Sequence, residues 1–251
     1  MLNTAWSTTK RALSQGGTWT VLVWSVGFTL LLVGILAAAG ATSILSEMVH
    51  PQIGSPASVP IGATVRPMLT GILALYIVLL AVGPFFIAGI YGLLGQAVSG
   101  QPVSWGTFWV LGKRLYGRAW GLYLYMLIYV VALAIVATTF IVFLHAIGVA
   151  IIILAVIASL PWMLRMAGGL FVDQYKWGHC FRSSFNRSRY LALLGTMLLT
   201  LVIYGVLAFM AGTLPRVLGI PGLILYFGIE IVMGVVGPVW LFSLYRRAEA
   251  P

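Results

Sequence analysis

Residues 119–164 read AWGLYLYMLIYVVALAIVATTFIVFLHAIGVAIIILAVIASLPWML, and not one Asp, Glu, Lys or Arg interrupts them. At about 1.5 Å of rise per residue, a helix of this length would be more than twice as long as the roughly 30 Å hydrocarbon core of a bilayer. One crossing cannot absorb it. The polar and flexible break at Leu144-His145-Ala146-Ile147-Gly148 is the natural turning point, so this stretch predicts two spans forming a tight helical hairpin.

Outward from that hairpin, the same criterion gives six spans. They are Trp19 to Ala39, Met68 to Leu94, Ala119 to Phe143, Gly148 to Val172, Tyr190 to Ala211 and Leu223 to Leu244. Composition agrees. Of 251 residues, 61% are hydrophobic and 7% charged, whereas a soluble domain carries about 25% charged residues to cover its surface. The longest inter-span segment, Gly40 to Pro67, contains Pro51, Pro56, Pro60 and Pro67 and reads as a loop, leaving one integral membrane domain over 1–251. Small residues follow the first span, but its apolar part exceeds the roughly 7–15 residues of a signal core, so it is expected to be retained.

The net charge of +10 would suit a nucleic-acid binder if it were clustered on a soluble face. It is not. Lys10, Arg11, Lys113, Arg114, Arg118, Arg165, Lys176, Arg182, Arg187, Arg189, Arg246 and Arg247 fall on one side of a six-span chain, and Arg66 and Arg216 on the other. The positive-inside bias makes the crowded side cytoplasmic, with both termini there. No nucleic-acid partner is expected. The single cysteine, Cys180, allows no intramolecular disulfide.

An internal period runs through the even spans. Pro84, Pro161 and Pro238 are 77 residues apart, each within two residues of an aromatic, and Thr4-Ala5-Trp6 before Lys10-Arg11 parallels Thr107-Phe108-Trp109 before Lys113-Arg114. This spacing predicts an all-α architecture of three repeated hairpins, with units near 1–100, 101–178 and 179–251. Each proline removes a backbone donor and is expected to kink its helix, either as packing geometry or as a hinge. Each unit opens with an amphipathic cytoplasmic segment. In Ser104 to Arg118, the face bearing Trp105, Phe108, Trp109, Leu115 and Tyr116 opposes Arg114 and Arg118. Such a helix either lies in the headgroup plane or packs on the bundle.

Glu230 is the one acid well inside a span, which makes it a candidate for proton coupling or for a structural pairing with Arg66 or Arg216. Arg165, near the inner end of the fourth span, is placed to snorkel to the headgroups or to meet Asp173. Lys113, Arg114, Arg118, Arg182, Arg187 and Arg189 are candidate contacts for anionic lipid headgroups. His50, His145 and His179 are split between the two sides, and no metalloprotease spacing, phosphate-binding glycine loop or activated nucleophile occurs. No enzyme activity, metal or cofactor is therefore expected.

Gly83-Pro84-Phe85-Phe86-Ile87-Ala88-Gly89, then Gly100-Gln101-Pro102-Val103-Ser104 and Phe108, and later Phe171-Val172-Asp173 with Phe181-Arg182-Ser183-Ser184, carry a resemblance. Over roughly residues 80 to 210 the chain resembles a group of bacterial six-span membrane proteins that includes the membrane domain of some glycerophosphodiester phosphodiesterases. The resemblance implies a bacterial cytoplasmic membrane. It carries over no catalytic residue, because the phosphodiesterase chemistry belongs to a separate soluble domain. Two functions compete: a non-enzymatic protein contacting anionic lipid, a membrane-protein partner or a second copy through its basic belt, and a permease for a small uncharged substrate. A permease requires a polar cavity near the midplane, and a scaffold a dry, packed centre.

Overall fold

The computed structural model describes residues 2–38, 73–185 and 189–249. Among them there is no strand. The helices are α1 (Leu2–Ser14), α2 (Thr20–Ala38), α3 (Leu73–Ala81), α4 (Gly83–Val98), α5 (Trp105–Phe143), α6 (His145–Phe171), α7 (Trp177–Ser184), α8 (Tyr190–Leu218) and α9 (Ile220–Glu249). Five of these elements are long and apolar enough to cross a membrane, or six if the bent pair α3–α4 counts as one. Backbone groups in hydrocarbon have no water to bond, so an uncharged run of this length satisfies itself as helix. The Gly40 to Pro67 loop, Glu47, Arg66 and Arg187 lie outside the described residues.

The turn foreseen within the long apolar stretch falls at His145, which takes φ 49° and ψ −121°. Across it, Tyr129 donates to Ser159 Oγ at 2.9 Å and Tyr125 meets Trp162 edge-on, so α5 and α6 run side by side in opposite directions. A second reversal, at Gly219 (φ 62°), returns α8 into α9, and Tyr204 donates to Met233 O at 2.6 Å.

Packing is concentrated at one end. There Ala88, Leu93, Leu94, Ala97, Val98, Phe108, Leu111, Leu115, Met166, Leu170, Phe171 and Leu244 are buried. Small residues set the approach: a side chain at Gly89 would strike the Phe108 ring, and one at Gly92 would press on Leu111 and Leu115. Trp24 of α2 stacks flat on Phe108 with ring centroids 4.0 Å apart. Tyr91, Phe171 and Phe242, one each from α4, α6 and α9, meet at 5.6 to 6.5 Å in the middle of this end. The other halves of the helices stay open; Leu154, Phe209 and Ile224 are 65%, 76% and 68% exposed. Lipid tails solvate such side chains as well as another helix would, so nothing forces these halves together.

One expectation is narrowed and one corrected. Of the two placements open to the amphipathic segment from Ser104, it takes the packed one, and it is continuous with the third span, giving α5 its 39 residues. At about 1.5 Å per residue that is roughly 58 Å, so the first turns stand clear of a 30 Å hydrocarbon core. Their apolar face packs on α4, with Phe108 and Leu115 buried, and Trp105 and Trp109 remain about half exposed at 49% and 46%. The three repeat prolines also differ. A 41° bend separates α3 from α4 just before Pro84, whereas the helical backbone runs unbroken through Pro161 and Pro238. Pro84 sits in the first turn of α4, where a missing N–H costs nothing, and the break falls in front of it at Val82.

Candidate functional site

The basic residues gather at the packed end, and the structure divides them by what they hold. After α6 the chain reverses through Asp173 and Gln174, with Gln174 in the left-handed region at φ 55°. Backbone bonds from Asp173 to Gly168 O (3.2 Å) and from Tyr175 to Gly169 O (2.9 Å) close the turn. Arg114 and Arg118, one helical turn apart on α5, both face it. Arg114 Nη2 donates to Gln174 Oε1 at 2.5 Å, and Arg118 Nη1 donates to Gln174 O at 2.5 Å. From the other side Tyr245 of α9 donates to Asp173 Oδ2 at 2.5 Å. Charge-assisted bonds of this kind are the stronger sort. Arg118, half-buried, and Arg114, still exposed, thus hold this turn through Gln174, a contact that the helical wheel does not show.

Arg165 is 2% exposed and neither snorkels nor meets Asp173. Its Nε lies 2.9 Å from Glu249 Oε1, on the last turn of α9. The register follows from glycine: Gly168, one turn beyond Arg165, has room only for hydrogen beside the Tyr245 ring, so the ends of α6 and α9 lie in contact. Glu249 sits unfavourably at a helix C-terminus, and the guanidinium offsets that. Arg189 donates from Nη1 to Arg247 O at 3.2 Å, capping a carbonyl of the same last turn. Sequence reasoning missed Glu249 because only the tertiary contact between α6 and α9 brings it to Arg165.

Cys180 is buried on α7 beside Gly169 and bonds Tyr175 O at 3.6 Å. Burial pushes its thiol up to about 11, against the lowering effect of Arg118. A protonated, enclosed thiol is a packing group rather than a nucleophile. Among the described residues no group of three His, Cys, Asp or Glu is placed to hold a metal.

Of the remaining candidates, Lys113 and Arg182 are exposed at the same end, together with Lys10, Arg11, Lys176, Arg246 and Arg247. Glu230 stands exposed on the open half of α9 and makes no ion pair among the described residues, Arg216 included; Arg66, the other partner considered for it, lies outside them. The spaces between the helices are apolar. One of about 280 Å³ lies among Leu160, Met197, Leu201, Tyr204, Pro238 and Leu241, and another of about 280 Å³ reaches Tyr91, Met126 and Met163. Neither is lined by Glu230. In the first, Trp240 Nε1 donates to Thr200 Oγ1 at 2.8 Å. Pro238 lines both cavities, Pro161 is buried, and Pro84 sits at a bend in the second apolar segment.

No family model matches the chain, and no curated protein and no solved structure is similar to it at a significant level.

Proposed function

We propose that the chain is a non-enzymatic protein of the bacterial cytoplasmic membrane that crosses it six times as three hairpin units, keeps both termini in the cytoplasm, and engages anionic phospholipid with its basic end. The observation that carries this reading is the surplus of cations at the packed end. Lys10, Arg11, Lys113, Lys176, Arg182, Arg246 and Arg247 are exposed there and take part in no ion pair among the described residues. Each such side chain near an anionic leaflet contributes about 1 kcal/mol of attraction. The sparing use of acids points the same way, since Asp173 and Glu249 are both occupied within the fold.

The apolar centre supports this reading over a permease. A transported polar solute needs convergent polar groups and water near the midplane, and the cavities between the helices are walled mainly by Leu, Met, Pro and aromatic residues, with Thr200 already bonded by Trp240. The 77-residue period supports the three-unit organisation. The central rings do not depend on it, since Tyr91, Phe171 and Phe242 stand seven, ten and four residues beyond their prolines. Reconstitution in nanodiscs tests the function. Replacing part of the phosphatidylcholine with phosphatidylglycerol should raise the midpoint of thermal unfolding, and salt near 1 M, where the Debye length is about 3 Å, should erode the gain. Equal stability in the two lipids would sink the proposal.

A further inference from the structure

We propose that the cleft between α1 and the end of α9 is a phosphate-binding site, taking the phosphoryl group of an anionic lipid or of a soluble phosphate ester. This rests on, and narrows, the reading of the basic end as a lipid-engaging surface. α1 docks closely along α9 because its contact face is small: Ala5 and Ala12 are fully buried, and Thr9 donates to Ser243 Oγ at 3.0 Å. On one flank of that contact, Thr4, Thr8, Ser243, Arg246 and Arg247 line a cavity of about 160 Å³.

The chemistry of this lining is one-sided. It holds two guanidinium groups and three hydroxyls, and no carboxylate. The acid nearest in sequence, Glu249, is engaged by Arg165, and Asp173 by Tyr245. Thr8 and Ser243 give their protons to Thr4 O (3.0 Å) and Val239 O (2.8 Å). The donors left to a ligand are therefore Arg246, Arg247 and the Thr4 hydroxyl. The C-terminal dipole of α9 amounts to about half a negative charge, too little to neutralise two arginines. A planar guanidinium matches the edge of a tetrahedral oxyanion with two parallel bonds, which favours phosphate over a compact halide. Position favours it as well, because the cleft opens at the end of the bundle where headgroup phosphates lie if the basic end is cytoplasmic. Arg246 and Arg247 read from sequence only as orientation signals; α1, folded back against α9, turns them into one wall of a pocket.

The test uses the full chain purified in a neutral detergent, with two probes titrated separately: short-chain phosphatidylglycerol and inorganic phosphate, each followed by thermal shift and native mass spectrometry. Arg246→Gln with Arg247→Gln should weaken binding by roughly tenfold or more, and Thr4→Val, which keeps shape and loses the donor, by roughly threefold to tenfold. Thr138→Val, which removes an exposed hydroxyl on the open half of α5, outside both the cleft and the basic end, should change it less than about twofold. Binding of both probes with this pattern assigns the phosphoryl group itself; binding of phosphatidylglycerol alone assigns a lipid headgroup. If the double variant does not fold, Thr4→Val and single Arg246→Gln carry the same comparison. Phosphatidylglycerol that stabilises the wild-type and the cleft variants equally would overturn the cleft and leave the basic-end reading standing. Phosphate binding that depends on the cleft, with no response to phosphatidylglycerol, would keep the cleft and overturn the lipid reading. A wild-type chain that binds neither probe overturns both.

Discussion

Arg165 shows how a single side chain can tie two distant parts of the chain together. It is 2% exposed and its Nε stands 2.9 Å from Glu249, whose side chain is 29% exposed. Removing one member of a buried pair leaves a charge that the interior solvates poorly. Glu249→Ala is therefore expected to lower unfolding stability by about 1–2 kcal/mol, because Glu249 is partly exposed, read by thermal or denaturant unfolding in detergent. Arg165→Met should cost less, because it replaces the buried charge with an apolar chain of similar length; equal losses would mean that the pair is not what holds the ends of α6 and α9. Cys180 supplies a pH test. Its thiol is raised from 9.0 to about 11 by burial, so the folded protein holds this proton over a window in which the unfolded chain has released it. Folding then opposes deprotonation, and stability falls as pH rises between about 9 and about 11. Alkylation of native Cys180 should stay slow at pH 8 to 9 and accelerate toward 11, and Cys180→Ala should flatten the alkaline loss of stability.

At the scale of elements, the turns are where local conformation and packing compete. His145 carries φ 49° and ψ −121°, a conformation in which a Cβ is strained and glycine is at ease. The apolar runs on either side leave the chain no choice but to turn within a few residues, and the pairing of Tyr129 with Ser159 keeps the two arms in register. His145→Gly should stabilise the hairpin by about 1 kcal/mol and His145→Val should destabilise it, as judged by the midpoint of thermal unfolding. A loss of stability with glycine would show that the imidazole makes a contact worth more than the strain. α1 offers a contrasting case. By itself it is a 13-residue helix with few helix-favouring contacts, shorter than an isolated helix needs in water. Its order comes from the buried face of Ala5, Thr9 and Ala12 on α9 and from Trp6 against Trp240.

For the whole molecule the governing fact is the placement of charge relative to the apolar helices. Twelve basic residues belong to one side of the six-span reading and two to the other, and cytoplasmic retention of Lys and Arg sets orientation during insertion. A reporter fused after Pro251 should register the cytoplasm and one inserted within Gly54 to Pro60 the exterior. Signals from the same side would require an odd number of crossings and defeat the topology. The same polarity would account for the uneven packing. With the basic end among water and headgroups, as proposed, burial of Phe108 is worth about 1.5–3 kcal/mol, whereas hydrocarbon would solvate Leu154 and Ile224 on the open halves and offer no comparable drive.

Helix class and the approximate spans were legible in the sequence, as was the turn at His145, because in a bilayer the backbone must bond within its own segment and an uncharged run has only one way to do so. The surplus of cations was legible for the same one-dimensional reason: the basic residues gather at the termini and in every second segment between the spans. What each cation touches was not. Sequence gives Arg114 and Arg118 the same headgroup reading as Lys113 and Arg182, yet the first two also bond Gln174 across the turn after α6. Arg165 found Glu249 rather than Asp173, Glu230 ended on an open face, and Pro161 and Pro238 passed without a break in their helices. These outcomes depend on how α1, α4, α5, α6 and α9 converge at the basic end. Contact between residues far apart in the chain is set by ring and glycine shapes, such as Gly168 against Tyr245 and Gly89 against Phe108. Local periodicity carries no information about such contacts, so only the tertiary structure decided which cations bond other parts of the fold and which were left to line a cleft.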